Sequence, residues 1–173
     1  NKTESVENGF WASSELRGAY KFQCPYFPEC GMPAGNQRCN ASTPNANGIY
    51  DMKNPQKYSG NKSPRYRSGW EHAFMRFCDN NPAIISWASE CIQIPYRNPL
   101  TGKGTVYVPD FVVVYQDKRG KKHAELIEIK PKAQTMLTEK TREKEKLAIA
   151  LNHAKWEAAA KWAKHKGLRF RVV

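Results

Sequence analysis

Two runs of strand-forming residues, separated by one tight turn, constrain this chain more than anything else in it. Val106 to Tyr115 is rich in Val, Tyr and Phe, and Ala124 to Lys130 alternates apolar with polar side chains. Between them, Asp117-Lys118-Arg119-Gly120 carries turn chemistry, so the two runs are expected to pair as antiparallel neighbours. Cys91 to Tyr96 also alternates, and Asn98-Pro99-Leu100-Thr101-Gly102 joins it to the first run. A sheet is the natural result.

Helices are expected on either side of this sheet. Ser68 stands at capping-box spacing from Glu71, and Trp70, Phe74 and Phe77 recur at i, i+4 and i+7. The pattern predicts a helix of about three turns that ends near Asn80, where Asn81-Pro82 breaks it. A second helical pattern starts near Thr138, with Leu147, Leu151, Ala154, Ala158 and Trp162 on one face and Gly167 as its C-terminal cap. Leu168 to Val173 reads as a last strand. From residue 64 to 173 the order is helix, three strands, helix, strand, which describes an α/β or α+β domain with one sheet flanked by helices. Residues 1–63 read differently: they lack periodic hydrophobicity and are rich in Gly, Pro, Asn and Ser, as expected of an irregular N-terminal arm.

Charge narrows the class of partner. The 173 residues carry a formal charge of +12. Residues 1–60 hold six basic and five acidic side chains, whereas residues 61–173 hold 22 and 11. A surplus of this size in the second part favours a polyanion, nucleic acid above all, because each Lys or Arg set on a phosphate releases condensed counterions. A solvated basic surface is the plainer alternative. The longest apolar stretches, such as Phe111 to Tyr115, are about a quarter of a membrane span, so no membrane partner is expected, and no export signal opens the chain at Asn1.

Three charged residues converge if the hairpin forms. Side chains alternate along a strand, so Glu128 and Lys130 share a face, and pairing brings Asp110 close to both. Two carboxylates that close repel unless a cation sits with them, and a divalent metal ion is the usual solution. Carboxylate oxygens together with the backbone carbonyl of Ile129 suit Mg²⁺, with Mn²⁺ as a substitute, and Lys130 is placed to orient a water or offset charge on a phosphate. Glu71 is the fourth candidate, since it lies beside the apolar stripe of its helix on the face of Met75 and Cys78. Its other reading is that it only completes the capping box. For Glu128 and Lys130 the alternative is an edge salt bridge, with Asp110 capping a turn.

The set Glu71, Pro109-Asp110 and Glu128-x-Lys130 resembles the PD-(D/E)XK nuclease superfamily, whose restriction-endonuclease-like fold is a small mixed sheet flanked by helices. Tyr66 to Glu71, Phe74 to Phe77, Ile94-Pro95-Tyr96, Tyr107 to Phe111, Glu128 to Lys132, Gln134 and Asn152 to Trp156 are similar to the head-completion nucleases of T-even-type tailed phages. The TnsA transposase nucleases share much of the arrangement. The resemblance covers about residues 55–173. It implies a Mg²⁺-dependent DNA endonuclease acting on double-stranded phage DNA in head completion or packaging, in the host cytoplasm during assembly or associated with the virion. Asp110 and Glu128 would hold metal, Glu71 would assist through metal or water, and Lys130 would be the catalytic lysine. Two alternatives stay open: a catalytically silent head or neck protein that binds the packaged DNA end, and a transposon-end or repair nuclease. The arm would dock on phage head or neck proteins, and paired cuts on two strands would call for a homodimer.

For gripping DNA, the candidates are Arg65 and Arg67 before the first helix, Lys132 and Gln134 after the second strand run, and Lys140, Arg142 and Lys144 at the start of the second helix. The last three alternate with Glu139, Glu143 and Glu145 and read equally as a solvated helix face. Nothing here reads base edges, so sequence preference is expected to be weak. Cys24, Cys30 and Cys39 in the arm allow zinc, a disulfide or free thiols, because no CxxC or nearby His selects among these. Cys78 and Cys91 are expected in the core, and the four histidines are expected to be structural or solvated.

Overall fold

A computed structural model of the chain describes residues 47–131 and 134–173. The possible zinc ligands Cys24, Cys30 and Cys39, together with Lys132, lie outside those residues. The elements in order are strands β1 (Gly48–Ile49) and β2 (Arg65–Tyr66), helix α1 (Gly69–Asn80), and strands β3 (Ile84–Ser89), β4 (Ile94–Arg97), β5 (Gly104–Tyr107), β6 (Phe111–Gln116) and β7 (Lys122–Glu128). Helix α2 (Glu143–His165) and strand β8 (Arg169–Val172) follow. The fold is mixed α+β. Its centre is a four-stranded sheet in the order β3-β6-β7-β8.

The expected hairpin is present: β6 and β7 pair antiparallel from Phe111↔Ile127 to Gln116↔Lys122 around the turn, where Gly120 takes φ 79°. β8 lies parallel to β7. Parallel neighbours need a crossover, which α2 provides, and Gly167 at φ 72° turns the chain back into the sheet. One face of the sheet buries Phe111, Val113, Tyr115, Ile127 and Ile129 against Phe74, Met75 and Cys78 of α1. The other buries Leu126 against Ile94, Tyr107 and the small side chains Ala159 and Ala163 of α2. No helix among the described residues is long and apolar enough to cross a membrane.

Several elements differ from the sequence reading. Ile84–Ser89 is a strand that the reading passed over, and it pairs antiparallel with β6. The run Val106 to Tyr115 is two strands rather than one. It divides at Val108-Pro109-Asp110, so β5 pairs with β4 in a separate ribbon while β6 joins the central sheet. Proline has no N–H to continue a ladder, which places the break where it falls. The strand expected over Cys91 to Tyr96 is Ile94–Arg97. Helix α2 begins at Glu143 rather than near Thr138, because Thr138 and Thr141 close a turn: the Thr138 N–H donates to Thr141 Oγ1 at 2.8 Å, and the Thr141 N–H donates to the Thr138 carbonyl at 3.0 Å. Leu147 is exposed, and the buried residues of α2 are Ile149, Ala159 and Ala163. Cys78 is in the core as expected, but Cys91 is exposed, since it follows Glu90, whose φ of 48° turns the chain away from strand geometry.

Residues 47–63 pack on the sheet and α1. The buried carboxylate of Asp79 accepts from the Tyr50 hydroxyl at 2.8 Å, the Lys53 N–H at 2.8 Å and the Asn54 N–H at 2.9 Å. Lys57 Nζ donates to the carbonyls of Cys78, Asp79 and Asn81, which fall at the end of α1 where carbonyls lack helical partners. Tyr50 joins the core, and Tyr58 meets Trp87 edge-on at 4.7 Å between ring centres.

Candidate active site

The break at Pro109 and the end of β7 create the site. Asp110 comes one residue before β6 and Glu128 is the last residue of β7, so the two stand one step beyond the final ladder pair Phe111↔Ile127. The Ile129 N–H, no longer needed by the ladder, donates to Asp110 Oδ2 at 2.7 Å. Lys130 Nζ lies 3.4 Å from Glu128 Oε1. On the other oxygen, the Tyr107 hydroxyl donates to Glu128 Oε2 at 2.5 Å. The backbone here is clasped from one side: the Val173 N–H donates to the Glu128 carbonyl at 2.8 Å, and the Lys130 N–H donates to the Val173 carbonyl at 2.9 Å. Glu128-Ile129-Lys130 is thus presented with little freedom.

Ionising both acids at this point is costly. Burial pushes the Asp110 carboxyl up to about 8, Glu128 pushes in the same direction and Glu71 adds to it, while the Ile129 N–H and Lys130 only partly oppose them. Two carboxylates share a single lysine. Tyr107 is raised too, by burial first and by Glu128 next, so its hydroxyl keeps its proton and remains a donor. Lys155 of α2 lies 5.9 Å above the centre of its ring.

Glu71 fills the capping role expected of it. Ser68 caps α1 by accepting from the Glu71 N–H at 3.2 Å, and the Glu71 carboxylate returns to the Arg67 N–H at 2.9 Å and the Ser68 hydroxyl at 3.1 Å. Its charge nonetheless reaches Asp110. Arg67 is drawn to the same place: its guanidinium pairs with Glu90, and Glu71 and Asp110 further favour its charged form.

The other candidates for gripping DNA that the structure describes are exposed. Arg65 is exposed on β2, Gln134 is exposed in the turn that its N–H closes on the Pro131 carbonyl at 2.8 Å, and Lys140, Arg142 and Lys144 are exposed before and within the first turn of α2. Sequence reasoning missed Tyr107 and Glu90. A tyrosine in an apolar run reads as core, which Tyr107 also is, so its place in the stretch that carries the resemblance pointed to no role, and a glutamate in a connecting segment reads as solvated.

Among the described residues no three His, Cys, Asp or Glu side chains form a ready metal cage. The donor set still fits a hard divalent cation that retains waters: Mg²⁺ is commonly held by one or two carboxylates plus substrate phosphate. Asp110 Oδ2 and Glu128 Oε1 and Oε2 already have partners, whereas Asp110 Oδ1 has none among the described residues. The Ile129 carbonyl falls between Glu128 and Lys130 in sequence.

A carboxylate pair and a lysine at adjoining strand ends of a mixed sheet form the kind of centre that hydrolyses phosphate esters. Residues 81–173, which carry Asp110, Glu128 and Lys130, match the family described as TnsA-like endonuclease, N terminal, and the chain belongs to that endonuclease family. Over 137 residues it is 36% identical to the head completion nuclease of Enterobacteria phage T4, spanning 73% of this chain and 89% of that protein. Glu71 and Arg67 precede the part that the family covers.

Proposed function

We propose that this protein is a Mg²⁺-dependent endonuclease that cuts double-stranded phage DNA during head completion, in the host cytoplasm as particles assemble. The observation that carries the reading is the meeting of the Asp110 and Glu128 carboxyl groups with Lys130 at adjoining strand ends, where the Ile129 N–H donates to Asp110 at 2.7 Å and Lys130 Nζ lies 3.4 Å from Glu128. The similarity to the phage T4 head completion nuclease supports the setting.

Asp110, Glu128 and the Ile129 carbonyl would hold Mg²⁺ or Mn²⁺, and Glu71 would act on it directly or through water. When bound, the ion lowers the pKa of a water and stabilises charge on the departing oxygen. The protein's own part is orientation. Tyr107 and Lys130 fix the Glu128 carboxylate between them, and the Lys130 ammonium offsets the charge that builds on the phosphate oxygens. Arg65, Arg67, Lys132, Gln134, Lys140, Arg142 and Lys144 are the proposed contacts to the DNA backbone. Such contacts predict a steep loss of binding as salt is raised.

The test is cleavage of supercoiled and linear DNA in Mg²⁺, Mn²⁺ or EDTA, with Asp110→Ala and Lys130→Ala alongside. Cutting is expected with either ion and absent in EDTA. Undiminished cutting by either variant would overturn the assignment.

A further inference from the structure

The arginine nearest the site is already engaged by an anion. The Arg67 guanidinium meets Glu90 fork to fork, Nη1 on Oε1 and Nη2 on Oε2 at 3.2 Å. Both partners are anchored to the site through the backbone. The Arg67 N–H donates to the Glu71 carboxylate at 2.9 Å, and the Glu90 N–H donates to the Asp110 carbonyl at 2.9 Å. The pair therefore bridges the start of α1 and the end of β3, the two segments that abut Asp110.

Glu90 has a second peculiarity. It is the only non-glycine with positive φ among the described residues, at 48°. That conformation is disfavoured for a residue with a long side chain, and such strain gathers at functional sites. A carboxylate and a phosphodiester offer a guanidinium the same arrangement of two oxygens. We propose that Glu90 stands in for a DNA phosphate: it holds Arg67 in the DNA-free protein and is displaced when a backbone phosphate beside the scissile bond takes its place.

This rests on the nuclease reading and adds a competitor to it. Arg67 and Glu90 side chains are 58% and 38% exposed, and an ion pair so exposed is weak in water, so a phosphate can exchange for the carboxylate. Displacement leaves Glu90 beside a polyanion in a neighbourhood that already holds Glu71 and Asp110. Glu90 thereby lowers affinity for any single phosphate contact and favours DNA that engages several at once.

The experiment measures equilibrium binding of a duplex in EDTA at low salt by wild type, Glu90→Gln, Arg67→Ala and the double variant. Glu90→Asn serves as a second substitution, since Asn tolerates positive φ, and thermal melting establishes that each variant folds. Both Glu90 variants are expected to bind about threefold to fivefold more tightly than wild type, the size of an exposed ion pair, and to lose that gain when Arg67 is absent. An equal gain with and without Arg67 would make Glu90 a general repelling charge and overturn the proposal. Weaker binding would overturn it as well, because Glu90 would then be holding Arg67 in its productive pose. If Arg67→Ala alone binds as well as wild type, the phosphate contact fails. Wild type that does not bind the duplex and does not cut it when Mg²⁺ is supplied removes the nuclease reading itself, a result distinct from the other three.

Discussion

Strand β7 carries two buried glutamates three residues apart, Glu125 and Glu128, and their surroundings are alike up to a point. Each has a tyrosine and a cation. Glu125 accepts from the Tyr115 hydroxyl at 3.0 Å and pairs with Arg171 at 3.3 Å. Glu128 accepts from Tyr107 at 2.5 Å and pairs with Lys130 at 3.4 Å. The difference is the third party. Glu125 stands opposite Val113 across the ladder, so one carboxylate meets one guanidinium inside a core, whereas Glu128 has Asp110 beside it. A buried carboxylate alone marks a structural ion pair; a second one that its cation does not cover marks a place able to take up further positive charge.

The largest expected contrast is catalytic. Asp110→Ala and Lys130→Ala should lower DNA cleavage by about a thousandfold or more, the scale of losing transition-state charge stabilisation. Glu125→Gln, assayed below its melting temperature, should stay within about threefold of wild type. A large loss in Glu125→Gln would erase the distinction between the two glutamates.

Stability should show the reverse ranking. Glu125→Ala strands Arg171 against the sheet, and breaking a buried pair in this way costs about 3–5 kcal/mol, readable by denaturant melts. Adding Arg171→Met should recover much of the loss.

The two sites also differ in their response to pH. Asp110 is raised from 3.8 to about 8, so the native protein keeps a proton that the unfolded chain releases. Its contribution is complete at acid pH and is lost as pH rises towards about 8. The melting temperature measured in EDTA should therefore fall between about pH 5 and pH 8.5, and Asp110→Asn should remove most of that fall. Glu125 is raised by burial as well, but Arg171 opposes the shift, so Glu125→Gln should remove less.

The smallest effect is expected at Tyr107. Tyr107→Phe deletes the hydroxyl that orients Glu128 and should lower cleavage about tenfold, with a higher Mg²⁺ requirement. Tyr115→Phe, the matching change beside Glu125, should leave cleavage unaltered.

Much of this was legible in the sequence where local chemistry decides structure. The hairpin, the Ser68 cap, Gly167 and the convergence of Asp110, Glu128 and Lys130 follow from turn residues, capping spacing and strand alternation. What escaped depends on distant parts of the chain. Ile84-Ile85-Ser86-Trp87 becomes a strand because β6 is there to pair with it. The division at Pro109 depends on β4 capturing β5, and that division is what sets Tyr107 against Glu128. Leu147 shows the same limit from the other side: its spacing fits the stripe whose later members Ala158 and Trp162 pack on the core, yet Leu147 itself is exposed.

The clasp of Val173 around Ile129 has a consequence for how the enzyme comes into being. Every side chain proposed to act in catalysis is synthesised by residue 130, but the strand that aligns Glu128 and Lys130 arrives only after α2 has crossed over the sheet. A nascent chain halted at residue 167 carries the full chemical complement without its alignment, and is expected to leave plasmid intact. The capacity to cut is thus expected to appear only once β8 has taken its place beside β7.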